Sequence, residues 1–235
     1  LEPAQPAGGG VPAGAGWARA TINTRGVIAL VGKLGDGTAF TTSLLPDAEQ
    51  TPGYRLWLQP YKPARAETFL GGVFTMWSNF PGSGGYVTSS DQFMWVKSER
   101  TADKSYPLGF VPVAVGLRLD PWVKPTASQT LATLLGLSGD SIEVAHSSTE
   151  SASDMDLPAS VTLSARNAVS VPGTSNPTKW QAKFNPANGT FTGSFELLDS
   201  GVKRLAPFSG VLRQPADAND KWIGDGHFLI PESPS

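Results

Sequence analysis

Two histidines, a few loop carboxylates and seven tryptophans are the side chains of this 235-residue sequence whose types could do chemistry. His146 stands in "IEVAHSS" and His227 in "GDGHFLI", both within strand-like alternation. Serines are abundant, yet no G-x-S-x-G elbow occurs, and "GSGG" lacks the strand-to-helix setting that such a nucleophile needs. Asp154 and Asp156 in "DMDLP" have the alternate spacing of oxygen ligands in a calcium loop. They lack the glycine and the later glutamate that complete the helical-loop type. "DAND" at 217–220 is similar and equally incomplete. Calcium at either stretch, with Asp154 and Asp156 as the candidate ligands carried forward, is weighed against the plainer reading of solvated loop carboxylates; no other cofactor is expected. With no cysteine, disulfides and thiolate metal sites are excluded.

Aromatic rings offer a second chemistry. Trp57, Trp77 and Trp122 lie in or beside proline- and glycine-rich connections, where an exposed ring can stack on a sugar. Trp17, Trp95 and Trp180 fall on alternating stretches and read as packing residues. A glycoside hydrolase would need two carboxylates about 5 to 9 Å apart, which spacing along a sequence does not reveal. Charge narrows the partners. Eighteen Lys plus Arg face twenty Asp plus Glu, without any basic run, so nucleic acid is not an expected partner. Charged residues make up 16% of the chain, below the roughly 25% of ordinary globular chains. No apolar run reaches the ~18 to 20 residues of a membrane span. The chain opens on Leu1 with no visible signal segment, which reads as a processed, trimmed or excised unit.

The elements that must position these side chains are strands. "WARATINT", "VIALVGKL", "TAFTTSLL", "YRLWLQPY", "FMWVKS", "FVPVAVGLRL", "KWQAKF" and "TFTGSFELL" alternate with period two, and Gly, Pro, Asn and Asp punctuate them. "TLATLLGLSG" fits a short helix or a strand. "VGKLGDGTAFTTSLLP" at 31–46 predicts a hairpin with a two-residue turn built on Asp36 and Gly37, and Asn188-Gly189 is a type I′ signal. Sliding the chain so that Trp17 meets Trp180 also aligns Gly26 with Gly189, Leu34 with Leu197 and Asp36 with Asp199. The pattern therefore predicts an all-β protein of two related antiparallel β-meander halves, about 17–120 and 130–231. They would form a barrel-like or paired-barrel domain over 17–231, before a tail at 232–235.

Residues 1–16, "LEPAQPAGGGVPAGAG", cannot pack a core of their own and read as an extended arm. Pro3, Pro6, Val11 and Pro12 would dock it either on its own domain or on a neighbouring copy. Its prolines favour seating in a groove over donation of a regular strand.

"GKLGDGTAFTTSLLP", "LWLQPY", "FLGGVFTM", "FMWVKSERTADKSYPLGF" and "FTGSFELLDSGVKRLAPFSGVL" with "GDGHFLIP" resemble a repeated module of large exported proteins of Verrucomicrobia and related bacteria. Gly32, Leu34, Asp36, Gly37, Trp95, Lys97, Tyr106, Pro107, Gly109 and Phe110 carry the resemblance, which covers roughly 16–231. It implies a secreted or cell-surface protein and offers no catalytic residues to carry over. The leading expectation is thus a non-enzymatic extracellular structural or adhesive subunit, self-associating through its arm into a filament or surface layer. A carbohydrate-binding module using loop tryptophans, with polysaccharide as partner, is the alternative. A glycan-active enzyme comes third.

Overall fold

A computed structural model describes residues 2–3, 10–12, 14–47, 53–62, 67–75, 87–88, 93–103, 106–136, 161–164, 169–171, 176–199, 201–213 and 223–230. Its strands are β1 (Glu2–Pro3), β2 (Trp17–Ile22), β3 (Ile28–Lys33), β4 (Ala39–Asp47), β5 (Gly53–Leu58), β6 (Phe69–Thr75), β7 (Val87–Thr88), β8 (Phe93–Lys97), β9 (Phe110–Gly116) and β10 (Arg118–Leu119). After the one-turn helix α1 (Leu131–Leu134) come β11 (Thr162–Leu163), β12 (Val169–Ser170), β13 (Gln181–Asn185), β14 (Thr190–Asp199), β15 (Val202–Arg213) and β16 (Ile223–Phe228). The chain is all-β, as its alternation predicts. "TLATLLGLSG" contributes the helix, which Thr130 caps by accepting the Thr133 N–H at 3.1 Å.

The larger sheet has eight strands in the order β1-β9-β8-β6-β5-β4-β3-β2. Strand β4 bends it by changing partners: Ala39 to Leu44 pair with β3, and Leu45 to Asp47 pair with β5. The two limbs turn their inner faces to one core of Ile28, Leu30, Leu44, Leu56, Leu70, Phe93, Trp95, Val113 and Val115. Fully burying each such side chain contributes about 1.5 to 3 kcal/mol. The smaller sheet is the meander β13-β14-β15-β16, packed around Trp180, Ala182, Phe195, Leu197 and Ala206. The barrel expectation is corrected. Both strand orders are linear and end on separate edges, so no closed barrel forms among the described residues.

The alignment of Trp17 with Trp180 has a counterpart in three dimensions. The same shift lays Ile28–Lys33 inside β14 and brings Ala39 onto Val202, the first residue of β15. Gly26 and Gly189 both hold left-handed backbone, with φ of 77° and 69°. The turns themselves differ from expectation. Leu34 donates to Thr38 O at 2.9 Å and Gly37 N–H to Leu34 O at 2.9 Å, so the first hairpin closes on three residues, Gly35-Asp36-Gly37. Gly37, at φ 82°, supplies the left-handed position that ends such a loop. The Asn188-Gly189 turn is not type I′, because that needs positive φ at both central residues and Asn188 does not have it. It is a four-residue loop, closed by Gly189 N–H on Asn185 O at 2.9 Å.

The described residues of the arm lie on their own domain. Glu2 and Pro3 pair antiparallel with Gly116 and Val115 of β9, so a short regular strand forms where a groove was expected. Val11 and Pro12 are buried, and Val11 joins the large core. The stretch at 14–16 then bridges the sheets: Ala15 O meets His227 Nδ1 at 3.2 Å, while the Trp17 indole N–H donates to Ser209 Oγ at 3.0 Å. Pro6 and the tail at 232–235 lie outside the described residues.

Candidate functional site

The motif residues that carry the resemblance converge behind the first hairpin. Phe93, Trp95 and Lys97 share the inward register of β8, so a lysine stands at a core position with its side chain 2% exposed. Opposite it is Asp36, whose side chain is fully buried. The ladder between β8 and β9 shifts register between Trp95 and Lys97, the kind of irregularity that re-aims a side chain. Lys97 Nζ lies 3.3 Å from Asp36 Oδ2 and 3.2 Å from Asp103 Oδ2. Arg100 Nε is 3.3 Å from that same Asp103 oxygen. The connection carrying both folds back through Arg100 N–H on Pro107 O at 2.6 Å and Asp103 N–H on Arg100 O at 2.8 Å.

The Asp36 carboxylate accepts three hydrogen bonds. Oδ1 accepts the Thr38 N–H at 3.0 Å, and Oδ2 accepts the Tyr61 hydroxyl at 2.6 Å as well as Lys97. Tyr61 in turn accepts the Trp95 indole N–H at 3.1 Å. Burial, reinforced by the Asp36 charge, pushes the Tyr61 phenol well above its ordinary value, so it stays a proton donor. Lys97 Nζ also sits 4.9 Å from the centre of the Tyr61 ring. Phe110 closes the wall, edge-on to Trp95 at 4.8 Å and to Tyr106 at 5.8 Å. Two anions, Asp36 and Asp103, thus face two cations, Lys97 and Arg100, inside an aromatic box.

Of the expected stacking residues, Trp57 stands on the outer face of the larger sheet, 60% exposed. Its ring lies over Gly71, where a Cβ would meet it at 2.7 Å, and stacks on Phe69 at 4.5 Å with 18° between planes. Met94, 39% exposed, continues the same row beyond Gly71; Leu45, 58% exposed, pairs with Arg55 two residues along β5. Trp122 is engaged instead: its indole N–H donates to Pro186 O at 3.0 Å and its ring covers Gly189. Trp77, Asp154, Asp156 and His146 lie outside the described residues, and no group of metal-ligating side chains occurs among the described ones. Asp199 holds its β14 register opposite Val202. His227 is buried, and burial lowers its pKa below the usual 6.5.

Sequence reasoning reads Asp36 as a turn residue; it misses Tyr61 and Lys97 as its partners, and Asp103 and Arg100 as the ion pair beyond Lys97. The signal was present in "FMWVK", whose alternation places Lys97 inward with Phe93 and Trp95; a lysine there demands a buried anion. Among the described residues no helix is long and apolar enough to cross a membrane. No family model, curated protein or solved structure matches the chain.

Proposed function

We propose that this chain is a non-enzymatic structural and adhesive module of the cell exterior. The observation that supports it is how the buried charge is used. Asp36 and Lys97 are 0 and 2% exposed, sealed away from any substrate, and they join the β3–β4 turn to β8 across the core. An ion pair enclosed in this way presents no group to a ligand, and losing either partner would strand the other charge in the core. The resemblance to exported modules and the absence of cysteine point the same way. Self-association would use exchange: the arm leaves its own β9 and adds to β9 of the next copy, a head-to-tail contact that propagates. The location is tested by treating intact source cells with a membrane-impermeant amine reagent. Labelled chain in the envelope fraction is expected; unlabelled chain confined to the soluble interior contradicts the reading.

A second reading rests on Trp57. A flat indole, supported from beneath by Gly71 and beside by Phe69, is the form of a stacking platform for a sugar ring. On this reading the adhesive target is a polysaccharide.

A further inference from the structure

We infer that Lys97 and Asp36 condense into an intramolecular amide that ties β8 covalently to the β3–β4 turn. This goes beyond the structural reading and stands whatever the module adheres to. Four features of the aromatic box carry it. The amine and the carboxyl are held 3.3 Å apart in a region closed to bulk water, which is the proximity that accelerates intramolecular reactions. A backbone donor, Thr38 N–H, already sits on Asp36 Oδ1, where negative charge develops when a nucleophile adds to Cγ. Tyr61 holds the other oxygen, Oδ2, with a 2.6 Å hydrogen bond. Asp103 touches the same Nζ at 3.2 Å and is 29% exposed, so a second carboxylate is placed to relay protons at the solvent side of the box.

The step balances without any co-reactant. A proton passes from the Lys97 ammonium to Oδ2 of Asp36, and the freed Nζ pair forms a bond to Cγ. The carbonyl electrons move on to Oδ1, held by Thr38 N–H. Asp103 takes a proton from the nitrogen and delivers it to Oδ2; the Cγ–Oδ2 bond then breaks and water leaves past Asp103. One ammonium and one carboxylate become one amide and one water, and nothing is oxidised or reduced. The charge count favours it as well. Condensation removes the more deeply buried ion pair and leaves Asp103 matched to Arg100 at 3.3 Å.

Intact-mass measurement on the purified, folded chain tests the inference. The wild type is expected one water lighter than its sequence requires. Proteolysis should release a branched peptide joining the Asp36 and Lys97 segments. Cyclisation at Asp36-Gly37 to a succinimide would lose the same mass, so Lys97→Met separates the two: it should keep its full sequence mass. Asp103→Asn, folded by circular dichroism, should carry the bond in a smaller fraction than wild type of the same age. A folded wild type that retains its full sequence mass overturns the inference, as does a water loss that persists in Lys97→Met. An equal bonded fraction in Asp103→Asn overturns the relay assigned to Asp103.

Discussion

Lys97 Nζ lies 3.3 Å from Asp36 Oδ2, and between them these side chains expose almost nothing to water. Removing one partner strands the other. Measured against chain in which the pair is still ionic, Lys97→Met should therefore lower unfolding stability by about 3 to 5 kcal/mol, the cost of an uncompensated buried charge, and by more against chain that carries the amide. Lys97→Met combined with Asp36→Asn should recover much of the loss, because the Asn oxygen still accepts from Thr38 N–H, its amide N–H can donate to the Tyr61 oxygen, and no charge is left behind. Urea unfolding of both variants checks this. A double variant no more stable than the single one counts against electrostatics as the cause.

Gly37 adopts φ 82°, and a Cβ there would press into Leu229. Gly37→Ala combines a left-handed alanine with that clash, so a loss above about 1 kcal/mol is expected. Gly201, at φ 81° with open space around it, lacks the clash. Gly201→Ala should cost less than Gly37→Ala by the same urea assay.

Trp57 packs on an outer face and leaves the core untouched. Trp57→Ala should change stability by roughly 0.5 kcal/mol or less. On the polysaccharide reading the wild type responds to added glycans by a change in tryptophan fluorescence, and Trp57→Ala abolishes the response. If Trp57→Ala responds like the wild type, this platform is not the binding site.

His227 couples the joint between the sheets to pH. Burial is the main reason its pKa falls below 6.5; the Lys33 charge adds to the shift, and the hydrogen bond to Ala15 opposes it. Between the folded value and 6.5 the unfolded chain binds a proton that the folded chain refuses, so stability rises with pH across that window and is lost as pH falls through it. Comparing unfolding midpoints at about pH 7.5 and about pH 5, the wild type should lose more than His227→Gln. Equal losses would remove His227 from the acid sensitivity.

Much of the fold is legible because one face of each strand is buried. Alternation in "IALVGK" and "FMWVK" locates β3 and β8, and the alignment of Trp17 with Trp180 anticipates the shared spacing of β3–β4 and β14–β15. Sheet closure is not legible, since it depends on β4 changing partners after Leu44, a long-range choice that leaves no local pattern. Turn lengths fail for a related reason. Gly37 and Gly189 are read as turn glycines and do hold left-handed backbone, yet the number of residues before them is set by which pair closes the ladder. The charged box is half legible: Lys97 announces itself by phase, whereas Tyr61 and Asp103 come from connections whose path tertiary contacts decide.

The central claim, that the chain builds structure by passing its arm to a neighbour, is tested most directly by sedimentation velocity over a range of concentrations. The full chain is compared with one lacking residues 1–9, which spares the buried Val11 and Pro12. The account predicts species that grow with concentration for the full chain and a folded monomer for the shortened one. A full chain that stays monomeric throughout, or a shortened chain that assembles equally well, would contradict it.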